Sequence, residues 1–390
     1  MKTINSSIIF FFAFVCKNFA QYSVETNPYI DTIDVGNKLI INIFREYYNT
    51  VFSDTIDFKN WNLIDKAEYA SPDLLLSNGI YNPNIYKIGY PYIMSISEMG
   101  QDKMLKVLFY YYDSKTKQSF FPWAIVNYYF IEGDDGSYSI ANYQRFLTKS
   151  WNFLNVGYFD YYFYPEFPFD KRKAEEANVF LEKLIYWFKI PKPKTKIKYF
   201  IAKNCSEIQQ LRGFEYVMTN SHRLNFCGYY DDKNNIVFSN AIKGEFFEHE
   251  IIHYLNQFFP LANPLLLMGI SAYLNEDGRG HLNETLNYHV EKINNYLKLN
   301  IKIDLNQPQL FYKIDGLTNP QYITGAIICH EIIKRKGVEG LIEVLRNSKE
   351  DIDMIAKLNT MLNIKNKNFN IYLRQKYDYY SKNKITPILQ

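Results

Sequence analysis

What this sequence lacks narrows its class. Beyond the N-terminal segment there is no stretch of about 18 uninterrupted apolar residues, so no transmembrane segment is expected. There is no long block of Lys and Arg. The 44 basic and 41 acidic residues are scattered and leave a formal charge of +3, so nucleic acid is not an expected partner. The basic run at 192–198 alternates with strand-like residues and reads as a solvated strand face. No internal repeat and no low-complexity linker appear, which leaves changes of pattern as the guide to domain boundaries. Charged residues are not enriched (22% against 47% hydrophobic), an ordinary globular balance that excludes a disordered chain. The one excess, 18% aromatic, reads as a compositional bias toward Tyr and Phe rather than as a stacking surface.

Cysteine is sparse. Cys16 lies in the leader, and Cys205, Cys227 and Cys329 remain, an odd number. A Cys205–Cys227 disulfide and three buried thiols are equally open. The leader itself has Lys2, an apolar run at 8–15, and small Ala20 before Gln21. The run is too short to span a bilayer and reads as a secretory signal, residues 1–20, cleaved near Ala20. Bulky Phe14 and Val15 precede Cys16, which makes a poor lipidation signal. The expected location is therefore secreted or periplasmic.

The pattern predicts an α+β fold in two domains. In the first, 21–164, apolar Val35, Leu39, Ile40, Ile43 and Phe44 follow helical spacing over about 36–50. Strand-like runs then follow at 88–97, 104–112, 124–131, 137–147 and 156–164, giving a helix on an antiparallel sheet. This domain concentrates no His, Cys or carboxylates, and its role is not legible. In the second, 165–390, Asp170 caps a helix with apolar Ala174, Ala177, Leu181, Leu184, Ile185 and Phe188. A strand is expected at 196–202, a short helix at 206–211, a turn at 229–235 and a short strand at 236–239. Asn240 is expected to cap the next helix, and from there the chain is nearly all helical.

That helix reads Glu248-His-Glu-Ile-Ile-His-Tyr-Leu-Asn-Gln257. Residues four apart share a helix face about 5–6 Å from one another, so His249 and His253 can chelate one ion. Neutral imidazoles suit Zn2+. Glu250 stands beside them, where a carboxylate can take a proton from an attacking water. With only six histidines, chance gives this pattern in about 0.5% of such chains. His222, His289 and His330 read as structural or exposed.

The order of elements from 165 to 380 resembles the catalytic domain of gluzincin metallopeptidases, the peptidase MA-like domains of secreted bacterial proteins. In that family the second helix reads Glu-Gly-x-Ala-x-Tyr, and its Glu is the third zinc ligand. The matching segment here is Leu267-Met268-Gly269-Ile270-Ser271-Ala272-Tyr273. Gly269 and Tyr273 fit, and Met268 stands at the ligand position. A thioether is a poor ligand for zinc. Glu276 is the best substitute, with Asp277, His281 and Glu284 behind it. The resemblance also implies that Tyr322, three before Gly325, stabilises an oxyanion, and that strand 236–239 is an edge along which an extended peptide lies. Two functions stay open: a zinc metallopeptidase acting on a peptide or protein substrate, and a peptidase-derived binding protein with a degenerate site.

Overall fold

The computed structural model describes residues 23–51, 56–76, 85–87, 89–112, 120–218, 227–275, 286–311, 314–315 and 318–387. The expected leader with Cys16, His222, and the substitute ligands Glu276, Asp277, His281 and Glu284 lie outside these residues. The fold is α+β. Among the described residues no helix is long and apolar enough to cross a membrane. The described residues form two compact units, one from those up to 150 together with 206–218, the other from 151–205 and from 227 onward.

In the first unit, helix α1 (Val35–Thr50) starts at Asp34, whose carboxylate accepts the Asn37 N–H. It buries Ile40, Ile41, Phe44, Tyr47 and Tyr48, one face at helical spacing. The short helix α2 (Leu63–Glu68) follows. The sheet runs β1 (Glu25–Thr26), β2 (Tyr90–Met99), β3 (Asp102–Tyr112), β4 (Phe120–Glu132) and β5 (Tyr138–Ala141), antiparallel except for β1. The strand expected to run to 147 stops at Ala141. The next backbone N–H, that of Asn142, goes to the buried Asp65 carboxylate instead of the ladder, and helix α3 (Tyr143–Leu147) begins.

The second unit holds β6 (Asn152–Val156), β7 (Phe159–Phe163) and β8 (Ile197–Ala202). The hairpin β6–β7 does not extend the first sheet, as the sequence reading had it. It pairs with β8 and so belongs to the second compact unit. The reason is topological: β7 and β8 are parallel, and parallel neighbours need a crossover. Helix α4 (Lys171–Phe188) supplies it, with Asp170 capping its start and Ala174, Ala177, Leu181, Leu184 and Phe188 buried. The chain then leaves through α5 (Cys205–Leu211), which ends at Gly213 (φ +93°), and β9 (Phe214–Val217) adds to β4 of the first unit. It returns at Cys227. A Cys205–Cys227 disulfide joins the points of departure and return, with Cα atoms 5.6 Å apart, while Cys329 is a buried thiol.

The turn expected at 229–235 begins as strand β10 (Tyr229–Asp231). It pairs with β11 (Ile236–Asn240), and the sheet order is β10-β11-β8-β7-β6. Strand 236–239 is therefore not an edge; β10 covers it. Phe153, Tyr162, Phe200, Phe238 and Tyr229 stand directly opposite one another across the five strands and form one aromatic row.

The rest is helical. The motif helix α6 (Glu248–Ile252) is followed by a 3-10 stretch (His253–Phe258), α7 (Pro264–Leu274), α8 (Leu286–Leu299), α9 (Pro320–Arg346, broken at Gly337, φ +67°), α10 (Asp351–Met361) and α11 (Phe369–Tyr380). Asn263 caps α7, with Pro264 at the first helical position. Helices α7 and α9 cross with backbones touching at Gly269 and Gly325, where a Cβ on either would lie 2.2 Å from the other helix's main chain.

Candidate metal centre

The motif helix starts later than its sequence suggests. Asn240 does not cap it. Asn240 ends β11, and its side-chain oxygen accepts the N–H groups of Ile242 and Lys243, closing a turn. Seven residues later the chain enters α6 after Phe247. Glu245, in between, accepts the Asp170 N–H and donates no ligand; it ties this loop to the start of α4. Phe247, Ile251 and Leu255 are buried, which fixes the helix's rotation and sets the histidines on another face.

That rotation brings His249 and His253 together. Their Nε2 atoms face each other at 3.3 Å, with the rings nearly perpendicular. The distance is longer than a good hydrogen bond between nitrogen and its acceptor. Two nitrogens each about 2.0–2.1 Å from a tetrahedral zinc also stand about 3.3 Å apart. The pair thus fits a two-imidazole chelate as it stands. Both histidines are partly buried.

Electrostatics agree with the geometry. Burial, then the neighbouring His253 and Lys243, push the His249 pKa down to about 3. Burial lowers that of His253 to about 4, against the Asn256 hydrogen bond, which raises it. Both rings are neutral at pH 7, the form that binds a metal. Glu250 is 6% exposed, and burial alone raises its pKa to about 8. Gly228 makes part of that enclosure: a Cβ there would lie 2.7 Å from Oε1 and Cγ of Glu250 and 2.2 Å from Phe247. A bound cation beside the imidazoles would reverse the shift on Glu250. Tyr322, near the start of α9, lies with its ring 6.0 Å from that of His249. Burial and then the Glu250 charge raise its pKa to about 12, so it stays a phenol and a hydrogen-bond donor.

His249, Glu250, His253 and Tyr322 therefore come together. Met268 is buried in α7, the helix packed beside α6. Among the described residues no third His, Cys, Asp or Glu joins the histidine pair. The other described histidines stand apart: His289 pairs with Thr318, and His330 with Tyr273. Two residues near the site escaped the sequence reading. Gly228 carries no local signal, because its role is a through-space approach. Asn256 does: it lies three residues past His253, and its amide reaches His253 Nδ1 at 3.3 Å.

These shifts predict the pH dependence of the metal-free protein. The folded histidines bind protons less well than the unfolded chain, whose value is near 6.5, so their contribution is lost as pH falls through about 4. Glu250 has the opposite sign. It keeps its proton in the fold up to about 8, against an ordinary 4.5, so its contribution is lost as pH rises through 8. Each pH unit of that displacement corresponds to about 1.4 kcal/mol. Glu250→Gln should then be more stable than the parent at pH 9, by about 2 kcal/mol or more, and the advantage should vanish near pH 5. Denaturant unfolding of the apo proteins at the two pH values measures this; equal differences at both would contradict it.

Comparisons with known proteins leave the site to speak for itself: no family model matches the chain, and no curated protein matches it.

Proposed function

We propose that the second unit is a gluzincin-like zinc metallopeptidase, secreted or periplasmic, acting on a peptide or protein substrate. The observation that carries this is the 3.3 Å separation of His249 Nε2 and His253 Nε2, with Glu250 and Tyr322 beside them. His249 and His253 would hold the ion. Bound there, zinc supplies Lewis-acid activation of water and of the scissile carbonyl.

The chain's own groups do the rest. Glu250 takes a proton from the attacking water as its oxygen bonds to the carbonyl carbon, and passes it to the amine that leaves when the C–N bond breaks. Burial against Gly228 raises the proton affinity of Glu250, and a cation at the imidazoles would lower it again, leaving the carboxylate ionised to act as the base. The Tyr322 phenol donates a hydrogen bond to the oxygen that gains charge. The leader and the Cys205–Cys227 disulfide support an oxidising compartment.

A second reading, a peptidase-like binding protein that has lost turnover, is favoured by one observation. Met268 occupies the position where the resembling family carries its ligating glutamate, and among the described residues nothing replaces it. Hydrolysis of an unfolded polypeptide separates the two. The first reading predicts cleavage that a chelator stops and added zinc restores. The second predicts none under any metal condition.

A further inference from the structure

We infer that Asn256 is a positioning residue for His253, presenting its carboxamide oxygen to Nδ1 so that the Nε2 lone pair faces the cation site. The inference rests on the zinc reading above. Its starting point is a change in the helix. The chain is α-helical over Glu248–Ile252 and becomes 3-10 over His253–Phe258. In a 3-10 helix there are three residues per turn, so side chains at i and i+3 stack over one another. Asn256 is three past His253, and its amide nitrogen Nδ2 stands 3.3 Å from Nδ1, the place that Oδ1 takes after a half-turn of the amide.

A neutral imidazole has one N–H and one lone pair. If Nδ1 carries the hydrogen, Asn256 accepts it through Oδ1, and Nε2 is left with its lone pair. If the amide N–H donates to Nδ1, the hydrogen sits on Nε2 instead. That hydrogen would then point at His249 Nε2, 3.3 Å away. Only the first arrangement leaves His253 able to ligate. A side-chain amide swaps its oxygen and nitrogen by a half-turn in place, so the same contact serves either state. Metal-binding histidines generally donate their second N–H to an acceptor, which fixes both tautomer and ring orientation.

The substitutions separate oxygen from nitrogen. Aspartate offers only acceptors, whereas leucine offers neither. Zinc affinity is measured by competition with a chromophoric chelator on the full chain, for the parent, Asn256→Asp and Asn256→Leu. The leucine variant should bind zinc about 10- to 100-fold more weakly. The aspartate variant should match or exceed the parent. Leucine binding as tightly as the parent, or aspartate falling with leucine, overturns the inference and leaves the zinc reading standing. A parent that takes up no zinc overturns both. Should the leucine variant fail to fold, long-range 15N–1H spectra of the metal-free parent still decide. A hydrogen on Nδ1 of His253 supports the inference, and one on Nε2 overturns it.

Discussion

Replacing Glu250 by glutamine is expected to lower hydrolysis by 10²- to 10⁴-fold while leaving zinc in place. The two side chains have the same shape, so the tight fit against Gly228 is kept. What is lost is the basic oxygen. The carboxylate is not expected to contribute to chelation, because among the described residues no carboxylate, Glu250 included, joins the two histidines in a three-ligand group. Glutamine cannot accept the proton from water, and no other described carboxylate joins the histidine pair to replace it. Zinc content by elemental analysis and kcat on an unfolded polypeptide are the two readouts. Loss of zinc together with activity would make Glu250 a ligand. Retention of activity would remove it from the mechanism.

The second large effect is expected at Gly325. An alanine in an exposed helix interior normally stabilises by about 1 kcal/mol relative to glycine. Here the sign should reverse. A Cβ on Gly325 would sit 2.2 Å from the Leu265 carbonyl oxygen and 2.8 Å from the Gly269 Cα. These are main-chain atoms that cannot rotate away, so α7 and α9 must separate. Overpacking of this kind costs about 1–3 kcal/mol and occasionally more. Loss of at least about 3 kcal/mol is expected, read as a fall in the denaturant midpoint. Separation would also move Tyr322, one turn before Gly325, away from His249. A stabilising Gly325→Ala would show that the helices do not meet there.

Much of this architecture was legible because it rests on local rules. Asp170 announces the helix it caps. The approach of the two histidines was legible for the same reason: His249, Glu250 and His253 lie within five residues on one helix. The misreadings were all non-local. Whether β6–β7 joins the first sheet or pairs with β8 depends on where α4 carries the chain. Asn240 has a capping side chain, but it spends it on a turn that the disulfide-anchored segment 227–231 packs against. Strand 236–239 reads as an edge until β10 is seen to pair with it. Gly269 shows the same limit from the other side. It fits a family pattern in the sequence, and its physical cause, the contact with Gly325, appears only when two helices 56 residues apart are brought together.

The central claim is that His249 and His253 hold a metal ion, and zinc uptake tests it most directly. The metal-free protein should bind one equivalent of zinc, and the absorption edge of the bound metal should show two imidazole nitrogens at about 2.0–2.1 Å. His249→Ala and His253→Ala should each abolish stoichiometric uptake. No uptake by the parent, or uptake that either alanine variant retains, would contradict the account.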